Sequence, residues 1–458
     1  MAVVGAHADR GRAQAASAGD SRPTGPPVRP AEHARRELRD RRHSRGRCGI
    51  AGPFRSPGEG SRRVVAIAAC RDTRGVAVNE FETDERRALR DTVRRFTERE
   101  VLPFAGAWER DGELPRELHR KAAELGLLGV AFPESAGGGG GDIIDSLVVT
   151  EEMLYAGAPG GVIASLFTNG IALPHIVAAD DPGQLDRWVR PTLAGEAIGA
   201  LAITEPDGGS DVAGLRTTAK RDGADYVVNG AKTFITSGTR ADFVTTAVRT
   251  GEPGAHGISL LVIERDTPGF TVSRKLDKMG WQCSDTAELT FTDCRVPAAN
   301  LVGEENTGFV QIAQNFVGER LGLAVQAYAA AQRALDLTVQ WCRDRETFGR
   351  PLVSRQLVQH TLTEMARRVD VARTYTRDVA VRHAAGEDMI AQVAFAKNTA
   401  VSAGEWVVHE AVQLHGGLGY MREAEVERQY RDMRILGIGG GTNEIMTSLA
   451  ANRLGFTS

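Results

Sequence analysis

The stretch Leu201-Ala-Ile-Thr-Glu-Pro-Asp-Gly-Gly-Ser-Asp211 stands where the sequence changes period. Upstream, apolar residues recur at helical spacing: Leu89, Val93 and Phe96 within 82–99, then similar patterns over 115–125, 144–156, 161–179 and 185–194. Downstream, short β-rich runs take over at 226–229, 232–236, 243–248, 258–264 and 287–291, with turn signals at Asn229-Gly230 and Pro268-Gly269. From Gly308 long helical patterns return and continue to the end. The spacing predicts an α+β multidomain chain. Its parts are a disordered tail over 1–78, an N-terminal helical domain over 79–200, a middle antiparallel β domain over 201–304 and a C-terminal helical block over 305–458. Asp84 is the expected N-cap of the first helix, and 137–141 reads as a flexible glycine loop.

Composition narrows the class. The chain has 458 residues, enough for two or three domains, and its 42% hydrophobic and 25% charged residues are ordinary for a soluble globular protein. No stretch approaches the roughly 18 apolar residues of a membrane span, and the N-terminus lacks a basic-then-apolar signal pattern. Cys48, Cys70, Cys283, Cys294 and Cys342 are scattered without CxxC spacing. They point to a reducing, cytoplasmic setting and to no metal cage.

The net charge of −3 conceals an asymmetry: residues 1–75 hold 16 Arg, no Lys and 7 Asp plus Glu, about +9, which leaves about −12 elsewhere. The basic segment lacks the aromatic interleaving of a nucleic-acid module, so no nucleic-acid partner is expected. It carries Pro23, Pro26, Pro27 and Pro30, and it is neither acidic-poor nor amphipathic as a transit peptide would be. Its all-Arg bias fits either a genuine tail or a coding region read upstream of the true start. Deleting residues 1–75 is expected to leave folding and activity intact; loss of soluble oligomer or of turnover in the truncated protein would show the segment to be structural.

Two glycine segments carry the chemistry. In 201–211 the glycines let backbone approach a ligand, and Thr204 and Ser210 offer hydroxyls, although a capped loop would read the same way. The second is Gln413-Leu-His-Gly-Gly-Leu-Gly-Tyr420. No strand precedes it, which argues against a dinucleotide-binding turn. His415 has no metal-ligand partner at usable spacing and reads as a packed histidine.

Taken together, the two segments resemble the paired signatures of the acyl-CoA dehydrogenase family over about residues 80–458. The resemblance extends to Lys232-Thr-Phe-Ile-Thr-Ser-Gly238, Cys283-Ser-Asp285, Arg345-Glu-Thr-Phe-Gly349 and Gly441-Thr-Asn-Glu444. It implies a four-helix bundle for the C-terminal domain, a homotetramer and one FAD per subunit. It implies that Leu201, Ile203, Thr204, Gly209, Ser210, Phe234 and Thr236 contact the flavin end. Arg345, Phe348, Gln356, Gln413, Gly416 and Gly417 would hold the adenine and pyrophosphate end across a subunit contact, with Thr442 and Glu444 completing the site. Acyl-CoA and an electron-transfer flavoprotein are the implied partners, without membrane insertion.

The implied reaction removes an α proton and a β hydride from a saturated acyl thioester. It needs a carboxylate whose pKa is raised toward the working pH. Many members read Tyr-Glu-Gly-Thr at the base position, whereas this chain reads Gly439-Gly440-Gly441-Thr442. Gly440 cannot abstract a proton, but its N–H can bind the thioester oxygen. The chain resembles instead the long-chain and isovaleryl subgroup, whose base lies on a bundle helix just before an Arg. That position is Glu319, in Phe316-Val-Gly-Glu-Arg320. Phe316 at i−3 and Leu323 at i+4 give it an apolar face, and Gly318 and Gly322 are expected to leave room for a ligand. Ser210, Phe316, Arg320, Gly439 and Gly441 are the implied substrate contacts. A carboxylate introduced at 440 is expected to face the same α carbon. The alternatives are an acyl-CoA oxidase or flavin monooxygenase relative, or a non-catalytic subunit of a heteromeric dehydrogenase. The sequence leaves open the acyl chain and whether its carrier is CoA or an acyl carrier protein.

Overall fold

The computed structural model describes residues 80–457, so the tail predicted for 1–78 lies outside the described residues. The first helix, α1, spans Asp84–Phe96 and buries Val93 and Phe96. Its cap is Thr83, whose hydroxyl accepts the Arg86 N–H at 3.2 Å. Asp84, the expected cap, is instead the first helical residue, where its carboxylate complements the positive helix end.

Helices α2 (Arg116–Glu124) and α3 (Ile143–Ala156) follow. In α3 a reciprocal box closes the start: Asp142 accepts from the backbone of Ile144 and Asp145, and the Asp145 carboxylate accepts the Asp142 N–H. The single pattern read over 161–179 is three short helices, α4 (Gly160–Leu166), α5 (Asn169–Ala172) and α6 (Pro174–Ala179). Pro174 starts the last, because its ring lacks the N–H that would continue the preceding turn. The glycine run 137–141 is pinned rather than loose: the N–H groups of Gly138 to Gly141 donate to carbonyls of Pro133, Gly129, Phe132 and Val130. A Cβ on Gly138 would lie 2.2 Å from the Phe132 carbonyl oxygen.

Seven strands form one sheet: β1 (Gly199–Ala202), β2 (Thr218–Asp222), β3 (Asp225–Thr236), β4 (Phe243–Arg249), β5 (Ile258–Glu264), β6 (Phe270–Lys275) and β7 (Thr286–Pro297). Its order is β1-β4-β2-β3-β7-β6, with β5 also paired to β4. Most pairings are antiparallel, as expected, but β1 and β2 each meet β4 in parallel. The Asn229-Gly230 signal is not a turn. It is a bulge inside the continuous strand β3, where register against β7 slips between Val228 and Gly230. Gly230 is required there because a Cβ would meet Thr217 Oγ1 at 2.5 Å.

The C-terminal bundle is built from α7 (Gly308–Asp344), α8 (Gln356–Ala384), α9 (Ile390–His415) and α11 (Asn443–Arg453), with α10 (Glu425–Met433) across its end. Small buried residues such as Ala327, Ala331, Ala396 and Ala400 let α7 and α9 approach closely. Glu151 on α3 is fully buried and accepts from Arg377 at 2.6 Å and from Tyr328 at 2.7 Å, with Arg90 also at 2.6 Å. Burial alone would raise this carboxyl; Arg377 and Arg90 outweigh it and hold Glu151 below the usual range. Among the described residues no single helix is long and apolar enough to cross a membrane.

Candidate active site

Glu319 sits on α7 one turn after Phe316 and one turn before Leu323, so the helix itself supplies apolar walls. The side chain is walled in by protein on most sides yet keeps a partly accessible surface, as at the floor of a crevice. Burial pushes its carboxyl up, and the positive charges of Arg320 and Lys397 pull it back only in part. No hydrogen bond from a described residue reaches this carboxylate.

The glycine loop is fixed against it by two cations. Arg320 Nε donates to the Gly440 carbonyl at 3.1 Å, with its guanidinium 5.4 Å from the centre of the Phe316 ring. Lys397 Nζ donates to the Gly441 carbonyl at 2.6 Å. Gly440 and Gly441 have φ of +64° and +96°, left-handed conformations that glycine adopts without strain. A Cβ on Gly440 would lie 3.5 Å from Glu319 Oε1, so the loop and the carboxylate share one space. Neither the Gly440 nor the Gly441 N–H has an acceptor among the described residues. The structure thus brings together Phe316, Glu319, Arg320, Gly439, Gly440 and Gly441.

Two expectations change. Gly318 does not open space for a ligand, because a Cβ there would be 3.3 Å from Ile143 Cδ1; only Gly322 faces open space. A carboxylate at 440 demands a shift of the Leu323 side chain, because its Cβ would fall 2.4 Å from Leu323 Cδ1, and it sits on a left-handed backbone that favours glycine. Lys397 was not singled out from sequence. The available signal was a lone charge within the apolar run Ile390-Ala-Gln-Val-Ala-Phe-Ala-Lys397.

A second group forms where β1 meets β3. Leu201 and Ile203 lie at the end of β1, and the Thr204 carbonyl accepts the Thr233 N–H at 2.9 Å. The next residue, Phe234, has φ of 61° and is 68% exposed, so an aromatic ring is held outward on strained backbone. That costs free energy without packing gain, which marks a surface shaped for a ligand. Buried Lys232 locks the turn through the Ile203 carbonyl at 3.0 Å and Glu205 Oε1 at 2.8 Å. Burial draws its ammonium down to about 8. Glu205 also accepts the N–H groups of Arg216 and Thr217. Gly209 and Ser210 are exposed beside this turn, and Thr236 closes β3.

A third group lies at the end of the bundle. Arg345 is exposed, makes no ion pair among the described residues, and lies 5.8 Å from the centre of the Trp341 ring. Trp341 stacks on His415 at 5.2 Å and donates to the Leu414 carbonyl at 3.0 Å, which ties Arg345 to the segment carrying Gln413, Gly416 and Gly417. The Cβ directions of Gly416 and Gly417 are open. His415 is packed, with Nδ1 at 2.8 Å from the Ala411 carbonyl. Phe348 is 97% exposed at φ of 50°, beneath Arg355, and Gln356 is exposed at the start of α8. Thr442 is engaged as N-cap of α11, accepting the Ile445 N–H at 3.3 Å, and Glu444 is exposed in the first turn. No hydrogen bond or ion pair among the described residues joins this group to the second within one chain. An outward aromatic on a locked turn suits a planar ring, and a free guanidinium beside two bare glycines suits a pyrophosphate; these residue types fit FAD. Two small, partly open pockets lie elsewhere, one at Trp281, Arg428 and Asp432, the other at His119 and Asn169.

Residues 83–196, 200–294 and 306–455 match the N-terminal, middle and C-terminal domains of acyl-CoA dehydrogenase. The long-chain specific mitochondrial acyl-CoA dehydrogenase of Rattus norvegicus is 38% identical over 382 residues, covering 83% of this chain and 88% of that protein. A putative acyl-CoA dehydrogenase from Mycobacterium smegmatis, solved by crystallography, is 71% identical with a TM-score of 0.82, covering 82% of this chain and all (100%) of that one. A glutaryl-CoA dehydrogenase from the same organism, solved in complex with FADH2, is 27% identical with a TM-score of 0.77, covering 83% of this chain and 97% of that one. This chain belongs to the acyl-CoA dehydrogenase family, whose members use FAD to dehydrogenate acyl-CoA.

Proposed function

We propose that this chain converts a saturated acyl-CoA to the trans-2-enoyl-CoA, with Glu319 as the base that takes the α proton. The observation that carries the reading is the Glu319 carboxylate: raised by burial, without a protein donor, and 3.5 Å from the Cβ position of Gly440. A carboxylate with its pKa raised is a stronger base than an exposed one, and its free lone pairs face the crevice. The unpaired Gly440 N–H donates to the thioester oxygen, where negative charge develops as the α proton leaves. Phe316 and Arg320 flank Glu319 on α7, and Gly439 and Gly441 flank Gly440 in the loop that Arg320 grips.

Bound FAD supplies the acceptor for the β hydride. Leu201, Ile203, Thr204, Gly209, Ser210, Phe234 and Thr236 would face its ring end. Arg345, Phe348, Gln356, Gln413, Gly416 and Gly417 would hold its pyrophosphate and adenine end. The latter group serves a neighbouring subunit in a homotetramer, with Thr442 and Glu444 at the margin. Electrons then pass to an electron-transfer flavoprotein. Purified protein is expected to carry one FAD per subunit, bleached anaerobically by its acyl-CoA and reoxidised faster by electron-transfer flavoprotein than by air. A colourless protein that FAD does not reconstitute would remove this reading. Faster reoxidation by air, with peroxide formed, would make the chain an oxidase.

A further inference from the structure

We infer that Lys397 is a positioning residue for this reaction: its buried ammonium clamps the Gly441 carbonyl of the glycine loop and places a fixed positive charge beside Glu319. The inference rests on Glu319 as the base and deepens that reading.

Lys397 lies on α9 with its side chain fully buried, and its one hydrogen bond among the described residues is to the Gly441 carbonyl at 2.6 Å. It forms no salt bridge within contact distance of a carboxylate among the described residues. Burying an ammonium against one neutral carbonyl is costly, and a neutral donor could bond that carbonyl without burying a charge. The cost shows in the side chain itself: burial, reinforced by Arg320, draws Lys397 down to about 8, and Glu319 opposes the shift. Among the described residues, Glu319 is the anion whose charge bears on it.

The charged groups acting on Glu319 are Arg320 from its own helix and Lys397 from α9. Those acting on Lys397 are the same Arg320 and Glu319. Each cation also grips one carbonyl of the loop, Arg320 that of Gly440 and Lys397 that of Gly441. The peptide planes that follow the Gly440 N–H are therefore fixed by the same two charges that offset part of the burial effect on Glu319. Removing either cation would push the carboxyl further up, in the direction burial already drives it. Lys397 thus has two separable effects, one through its charge and one through its hydrogen bond.

Lys397→Gln keeps a donor for Gly441 and removes the charge; Lys397→Met removes both. Both are compared as FAD-loaded full chains with native enzyme and Glu319→Gln, with melting temperature and flavin content measured alongside. The acid limb of kcat/KM is expected to move to higher pH by about one unit in Lys397→Gln, the order expected for loss of one partly screened charge. Lys397→Met should show the same shift and a further loss of about tenfold in kcat/KM from the freed loop. If Lys397→Met fails to fold, the limb in Lys397→Gln decides the matter. A lowered melting temperature with an unmoved acid limb would reduce Lys397 to a structural residue and overturn the inference alone. Near-normal turnover in Glu319→Gln would overturn both the base assignment and this inference.

Discussion

Glu319→Gln is expected to lower turnover by at least about a hundredfold, the lower range for loss of an acid–base group, while FAD and acyl-CoA still bind. The substitution is nearly isosteric, and the carboxylate has no hydrogen bond from a described residue to lose. Replacing a buried anion by a neutral amide removes a desolvation cost, so the fold should not suffer. The pH profile follows from the direction of the shift. Burial raises the Glu319 carboxyl, so native activity should rise with pH through a value above the ordinary glutamate range, and that limb should vanish in the variant. Restoring a carboxylate as Gly440→Glu is expected to recover some activity, limited by the shift it demands of Leu323, whose Cδ1 lies 2.4 Å from the Cβ position, and by a backbone with φ of +64°. Leu323→Ala in the same chain should raise that recovery. Near-normal turnover of Glu319→Gln would place the base elsewhere.

The features legible in the sequence are those governed by period and by local motif. The switch at 201–211 marks the entry to β1, and the helical patterns after 308 become the bundle. Glu319 is legible because Gly440 occupies the position where the family resemblance implies a carboxylate in many members. What escaped depends on groups distant in the chain. Asn229-Gly230 reads as a turn, yet the left-handed freedom of Gly230 serves a bulge pressed on Thr217. The glycines at 137–141 suggest freedom, but the backbone at 129–133 removes it. Lys397 looks like any helical lysine until α9 is laid against the loop 440–441, a contact spanning 44 residues. The parallel pairing of β1 with β4 likewise joins 199–202 to 243–246, a contact between distant segments that no local period encodes.

A branched or bulky acyl-CoA is expected to be dehydrogenated at least as well as a straight chain of equal length, because Gly439 leaves space beside the reacting carbons. Two explanations for that glycine can be separated. Gly440 and Gly441 need glycine for their left-handed φ, whereas Gly439 lies outside that region, so backbone strain does not require it. A Cβ there would find only the Ile435 carbonyl oxygen at 3.5 Å and Ile435 Cγ1 at 4.0 Å, both ordinary contacts. A side chain is thus tolerated by the backbone, and its absence leaves room that a substrate branch can fill. Phe167, half-buried at the end of α4, would limit chain length if the acyl tail runs toward it. A pocket rejects an extra methyl group mainly by overpacking, an effect of roughly 1–3 kcal/mol. Gly439→Tyr should therefore lower kcat/KM for isovaleryl- or citronellyl-type CoA by about tenfold or more relative to butyryl- and octanoyl-CoA, with little change in melting temperature. The comparison is of kcat/KM across these four thioesters in native and variant enzyme. A clear preference for straight chains in the native enzyme would show that the space at Gly439 does not receive the acyl branch.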